Sequence, residues 1–281
     1  RRRYRTQSTG TVGLVPSNWI FLSKNGQDQY INRLAVSAGV PPTDTDHFDY
    51  QRDSGTIVLR GILKYKIMQR CWQDRRPFYY MDSGYMGNAI SDRNPQGHKL
   101  WHRIVPNDLQ HSQILPRSPD RLRRLGITGH ARRHGRRVIV AVPDEKPCRF
   151  YGIDRDQWIQ DTVTTIKKHT DRPIVIRERA PRRQDRVATD PLVRVLGDDT
   201  HALVTFNSNA AVEAVIEGVP VFVSAPTHAA APVGNRDLGQ IEEPFWPDRD
   251  LVEAWLCHLA YGQFHVRELE DGTALGILNG A

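Results

Sequence analysis

The sequence predicts an α/β protein built from two units, the C-terminal one a doubly wound parallel sheet and the N-terminal one smaller or incomplete. Three observations carry that expectation. Short apolar runs alternate with helix-spaced segments through the second half of the chain, the pattern of parallel strands joined by crossover helices. Further apolar runs before residue 82 repeat the theme less completely. A tract rich in Arg, Pro and Gly over residues 116–136 separates the two halves. With 281 residues, 39% of them hydrophobic and 25% charged, the chain can bury one large core or two small ones and is too apolar for disorder.

The elements follow in order. Residues 19–22, 56–60 and 77–81 read as strands, with a helix over 64–74 between the last two. Residues 137–143 form a continuous apolar run ended by proline, as a buried parallel strand would. A polar loop over 144–156 leads to an amphipathic helix over 157–168, then a strand over 172–177 and a basic loop over 178–186. Asp190 followed by Pro191 reads as a helix start. A strand over 202–206, a helix over 209–217 and a strand over 220–224 complete the alternation, and a tail holds a helix over 250–262 and a further segment over 266–269. The expected organisation is therefore an N-terminal α/β domain at 1–115, a basic linker at 116–136, a second α/β domain at 137–246 and a helical tail at 247–281.

Several classes are disfavoured. The Arg-rich opening has no apolar stretch behind it and no 18-residue apolar run occurs, so a cytoplasmic protein without membrane attachment is expected. Cys71, Cys148 and Cys257 form no CxxC pair, so neither a disulfide framework nor a zinc site is indicated. Walker, Gly-x-Gly-x-x-Gly and Gly-x-Ser-x-Gly motifs are absent, against a kinase, dehydrogenase or serine hydrolase. Asp154-Arg-Asp156 and Asp248-Arg-Asp250 precede helices and read as caps, so no essential metal and no cofactor are expected. The net charge of +7 is concentrated in arginines between residues 117 and 137. Guanidinium groups pair with phosphate in a bidentate fork, so Arg123, Arg124, Arg132 and Arg133 are candidate nucleic-acid contacts, or else a solvated basic linker.

The most specific segment runs from Val204 to Val221. A strand ends at Phe206, and Asn207, Ser208 and Asn209 open a helix whose unpaired amides can face an anion. The same residue types also serve as ordinary N-caps. Glu213 lies one turn on, where a carboxylate could accept from ribose hydroxyls or simply face water. Arg177, at a strand end, and Lys146 and Arg149, after the first strand of this half, could neutralise a bound phosphate or be solvated charges. Asp82, between an apolar run and Ser83-Gly84, is a candidate general base or a turn aspartate, with His102 and His111 as further candidates.

A strand, a short polar turn with Ser, then Glu213-Ala214 and Gly218-Val-Pro-Val221 resemble the donor-binding segment of GT-B-fold glycosyltransferases. The resemblance implies two Rossmann-like domains around a cleft and a nucleotide-sugar as donor substrate. It implies that Ser208 and Asn209 meet the diphosphate and Glu213 the ribose. The glycine-rich turn of that family is replaced here by Asn207-Ser208-Asn209. A narrower similarity links Phe78-Tyr-Tyr-Met-Asp-Ser-Gly-Tyr-Met-Gly87, Trp101-His-Arg-Ile-Val-Pro-Asn107 and Leu259-Ala-Tyr-Gly-Gln-Phe-His-Val-Arg-Glu268 to glycosyltransferase-like proteins of bacteriophages. The tail pattern is also similar to capsule-polysaccharide proteins. These resemblances imply sugar transfer to an acceptor hydroxyl. The acceptor could be a hydroxymethylpyrimidine in phage DNA, with DNA as partner, or a polysaccharide. A non-catalytic nucleic-acid-binding module is the remaining alternative.

Overall fold

The computed structural model describes residues 18–62, 65–88, 100–178 and 192–280, with backbone only at Val193 and Arg194. The expected helix start at Asp190-Pro191, the basic opening and most of the 178–186 loop lie outside the described residues. In chain order the elements begin with β1 (Trp19–Phe21), α1 (Gln29–Ser37), β2 (Thr56–Arg60), α2 (Tyr65–Asp74), β3 (Phe78–Ser83), β4 (Trp101–Pro106) and α3 (Asp120–Leu125). They continue with β5 (Arg137–Ala141), α4 (Glu145–Tyr151), α5 (Arg155–His169), β6 (Ile174–Arg177), α6 (Leu192–Leu196), β7 (Thr200–Thr205), α7 (Ala210–Ile216) and β8 (Val221–Val223). The chain ends with α8 (Arg249–Tyr261), β9 (Gln263–His265), α9 (Val266–Glu270) and α10 (Thr273–Asn279).

The strands form two sheets. The second is parallel throughout, in the order β6-β5-β7-β8, as the alternation of apolar runs and helices predicts. The first has the order β1-β2-β3-β4-β9, parallel through β3 and antiparallel beyond. It has five strands against the second sheet's four. The difference comes from β4 and from β9, which returns from the far end of the chain to pair with β4 (Trp101 opposite His265).

Strand alternation sorts the first sheet into two faces. Val58, Met81, Ile104 and Phe264 pack with α1, α9 and α10. Ile57, Leu59, Phe78 and Tyr80 face α2 and Phe150 of α4. Asp28 caps α1, accepting from the amides of Tyr30 and Ile31 at 3.1 and 3.2 Å. In the second unit Trp255 of α8 is fully buried and its indole donates to the Ala229 carbonyl at 2.7 Å. Asp154 and Asp248 cap α5 and α8, accepting from Gln157 and Leu251 at 2.8 Å.

The tract between the units carries α3, held by Arg121. This guanidinium is 4% exposed, donates bidentately to Glu268 at 2.8 Å, and bonds the carbonyls of Ala260 (3.0 Å) and Gln263 (2.8 Å). It staples α3 to the segment that delivers β9. No helix of the described residues is long and apolar enough to cross a membrane.

Candidate active site

The two units meet where the carboxyl ends of β3 and β7 approach each other, and Arg103 is the central residue of that junction. In the antiparallel register Arg103 of β4 lies opposite Asp82 of β3, which places both on the face shared with Tyr80. Its Nη2 is 3.6 Å from Asp82 Oδ2. Nε donates to the Leu109 carbonyl at 3.1 Å, and Nη1 donates to the Ser83 carbonyl at 2.7 Å and to Asn209 Oδ1 at 3.5 Å. Asn209 in turn donates to the Gly84 carbonyl at 3.3 Å. The turn after β3 and the turn after β7 are thereby tied together by side chains.

Asp82 is about one-third exposed. It accepts from the Tyr80 hydroxyl at 2.6 Å and from the Ser83 amide at 2.8 Å. Burial pushes its carboxyl up. Arg103, the Tyr80 and Ser83 hydrogen bonds and Arg60 outweigh that and hold it below the ordinary carboxylate range. The result is an anion, fixed in place and reachable from solvent. The other two candidate bases are placed differently. His102 neighbours Arg103 in β4 and so faces the opposite side of the sheet, where its ring lies 3.9 Å from Tyr30. His111 accepts or donates at 3.1 Å with the Tyr85 hydroxyl, and its ring is 5.4 Å from that of His258. Burial, His258, Arg103 and Arg117 lower its pKa to about 3, so it is neutral near pH 7.

The turn after β7 is built asymmetrically. Asn207 is buried, and its carbonyl accepts from Gln110 at 2.7 Å while Gln110 also accepts from the Ala229 amide at 2.9 Å. Ser208 and Asn209 are half-buried at the rim. The Ser208 hydroxyl accepts from the Ala210 amide at 3.2 Å, a local turn bond before the helix, and its carbonyl meets His228 Nε2 at 3.2 Å. Glu213 is exposed one turn along α7 from Asn209, whose carbonyl receives the Glu213 amide at 3.3 Å, so the two share a helix face.

The other candidates scatter. Arg177 ends the edge strand β6, half-buried and paired in register with Ala141 at the same carboxyl edge of the sheet as Ser208. Lys146 is exposed on α4, and Arg149 there pairs with Glu145 at 2.6 Å. Arg123 is exposed, Arg124 pairs with Asp120 at 3.4 Å and Arg132 is half-buried. Arg133 bonds Glu217 at 2.9 Å and the Gly197 carbonyl at 3.2 Å. Arg136 pairs with Asp199 at 3.0 Å. Much of the basic tract is thus spent within the chain.

Sequence reasoning missed Arg103, Gln110 and a hydroxyl chain beside them. Thr227 donates to Asp108 at 2.8 Å and meets Tyr151 at 3.0 Å. Burial raises the Asp108 carboxyl, against hydrogen bonds from Thr227, Leu109 and Gln110. The signal for Arg103 was present: a charge inside a strand that continues with Ile104 and Val105 needs a partner for its guanidinium.

No protein-family model and no curated protein matches the sequence. Among solved structures, the chain is similar to "Thermosulfurimonas dismutans KpsC, beta Kdo 2,7 transferase", with a TM-score of 0.50, 12% identity, and 92% of this chain covering 99% of that one. It is also similar to the beta Kdo 2,4 transferase of the same organism's KpsC, with a TM-score of 0.49, 13% identity, and 85% of this chain covering 89% of that one. At this identity the likeness to the 2,7 transferase is one of fold, and it extends over both sheets.

Proposed function

We propose that the chain is a glycosyltransferase that moves a sugar from a nucleotide-sugar to an acceptor hydroxyl at the junction of its two sheets. One observation carries this reading: an ionised, partly exposed Asp82 is held across from the half-buried Ser208–Asn209 turn by Arg103 and Gly84. The acceptor hydroxyl gives its proton to Asp82 as its oxygen bonds the anomeric carbon. The bond from that carbon to the phosphate oxygen breaks, and its electron pair leaves with the nucleotide. The negative charge then rests against the turn, with Glu213 reaching the ribose and Arg177, at the same carboxyl edge of the sheet, as a candidate cation. The fold shared with a beta Kdo transferase supports sugar transfer as the chemistry and a saccharide as the acceptor.

A hydroxymethylpyrimidine in DNA is the second reading, favoured by the net charge of +7 and the exposed Arg123. It requires a flipped base and binding that falls steeply with salt. The engagement of Arg124 and Arg133 within the chain favours the saccharide. Labelled donor incubated with oligosaccharides, hydroxymethylated DNA and unmodified DNA separates the two. The reading expects label on saccharide. Label on hydroxymethylated DNA alone overturns the acceptor assignment, and no donor consumption across a full panel of nucleotide-sugars overturns the transferase.

A further inference from the structure

We propose that Arg103 is the positioning residue of this site: it fixes the ionisation and orientation of Asp82 and sets its register against Asn209 of the other unit. The catalytic meaning of this inference rests on the transferase reading above, but its test does not.

The argument is one of charge and valence. Arg103 is 7% exposed, and a buried guanidinium must find an opposite charge or be destabilising. Asp82, at 3.6 Å, is the carboxylate that answers it. The remaining donors are spent on three separate pieces of backbone and side chain: Ser83 at the end of β3, Leu109 in the loop after β4, and Asn209 before α7. Each of these borders the proposed reaction. Ser83 and Gly84 lead away from the base, Leu109 precedes the Gln110 that holds Asn207, and Asn209 lies at the rim of the phosphate corner. A planar fork of fixed geometry can hold all three at once, and a lysine ammonium cannot. The close fit behind the turn limits its movement: a Cβ on Gly84 would lie 2.9 Å from Gln263 Oε1 and from Trp101 Cβ. Arg103, together with the Asn209–Gly84 bond, thereby links the base to the turn that would receive the leaving group.

Two readouts test this. In the wild-type protein the Arg103 side-chain nitrogen resonances should titrate with the same midpoint as the Asp82 carboxyl carbon, and Asp82→Asn should abolish that titration. In Arg103→Gln the Asp82 midpoint should rise by about one pH unit or more, a roughly tenfold change in proton affinity. Arg103 resonances that stay flat while Asp82 titrates, or an unchanged Asp82 midpoint in Arg103→Gln, overturn the inference. The wild-type measurement stands if Arg103→Gln does not fold. With a donor in hand, Arg103→Gln should lower kcat at least tenfold and shift its acid limb upward with the donor KM within about twofold. Arg103→Lys should restore only part of kcat; full restoration also overturns it. Coupled titration without any transferase activity would leave Arg103 standing and remove the reading it serves, so the two failures are distinguishable.

Discussion

Asp82 shows how much one residue's surroundings decide. In isolation Asp before Ser-Gly is an ordinary turn former, and its amide bond from Ser83 is that of a turn. What separates it from other aspartates is the Tyr80 hydroxyl behind it and the Arg103 guanidinium beside it. Asp82→Asn should abolish transfer, by 10²-fold or more on the order expected for a lost general base, while donor binding by calorimetry is retained. Because the carboxyl is held low, it stays ionised through the neutral range. Activity limited by Asp82 should then fall only as pH drops below the ordinary carboxylate region, and a pH profile of kcat checks this. Glu213→Ala should weaken nucleotide-sugar binding several-fold and leave thermal stability near wild type, since the side chain is exposed. Unchanged donor affinity would remove Glu213 from the ribose. At this scale the sequence revealed the types of residue but not their partners. Asp82, Ser208 and Asn209 could be picked out; Arg103 showed only as a charge inside an apolar strand, and Gln110 not at all, because their partners Asn209 and Asn207 lie more than 90 positions away.

The elements were more legible than the contacts. Strands β5 to β8 came from continuous apolar runs, and α5 and α8 from helical spacing with aspartate caps. The strand β9 is three residues long and has no periodicity to read; it exists because β4 offers an edge. Helix α4 sits inside a polar stretch and is fixed by Phe150 against Trp72, ring centroids 4.8 Å apart, which no local pattern announces. Arg121 belongs with these long-range determinants. Arg121→Met should cost about 3–5 kcal/mol, because Glu268 would be left half of a broken, largely buried pair. Denaturant titration would read it, with loss of protection from hydrogen exchange at β9. Gly218 is the second such point. It closes α7 at φ +83°, and a Cβ there would lie 2.1 Å from the Ala131 carbonyl oxygen. Gly218→Ala should destabilise by at least 1 kcal/mol, on the order expected for strain at a left-handed position, compounded by that clash.

Across the whole molecule, three histidines are withdrawn from water: His228 and His258 are buried and His111 is half-buried. Burial lowers His228 and His111 to about 3 and His258 to about 4, with neighbouring arginines assisting. Each is neutral when folded and takes up a proton near pH 6.5 when unfolded. The stability they contribute is complete above that pH and is lost as pH falls from about 6.5 toward 4, at up to about 1.4 kcal/mol per pH unit for each. Stability curves between pH 4 and 8 should steepen on the acid side, and His228→Gln should flatten them. The parallel second sheet was readable from the alternation of runs. That the chain's end crosses back to complete the first sheet was not, since β-pairing between residues 101 and 265 leaves no local trace.

The central claim is that a nucleotide-sugar binds with its phosphates at the Ser208–Asn209 turn, facing Asp82. A crystal structure with the nucleotide that most raises Tm in a broad panel tests it most directly. The account predicts phosphate oxygens within hydrogen-bonding distance of that turn and the sugar-bearing end toward Asp82. Nucleotide seated elsewhere, or a turn still sealed against it by Gln110 and Arg103, would contradict it.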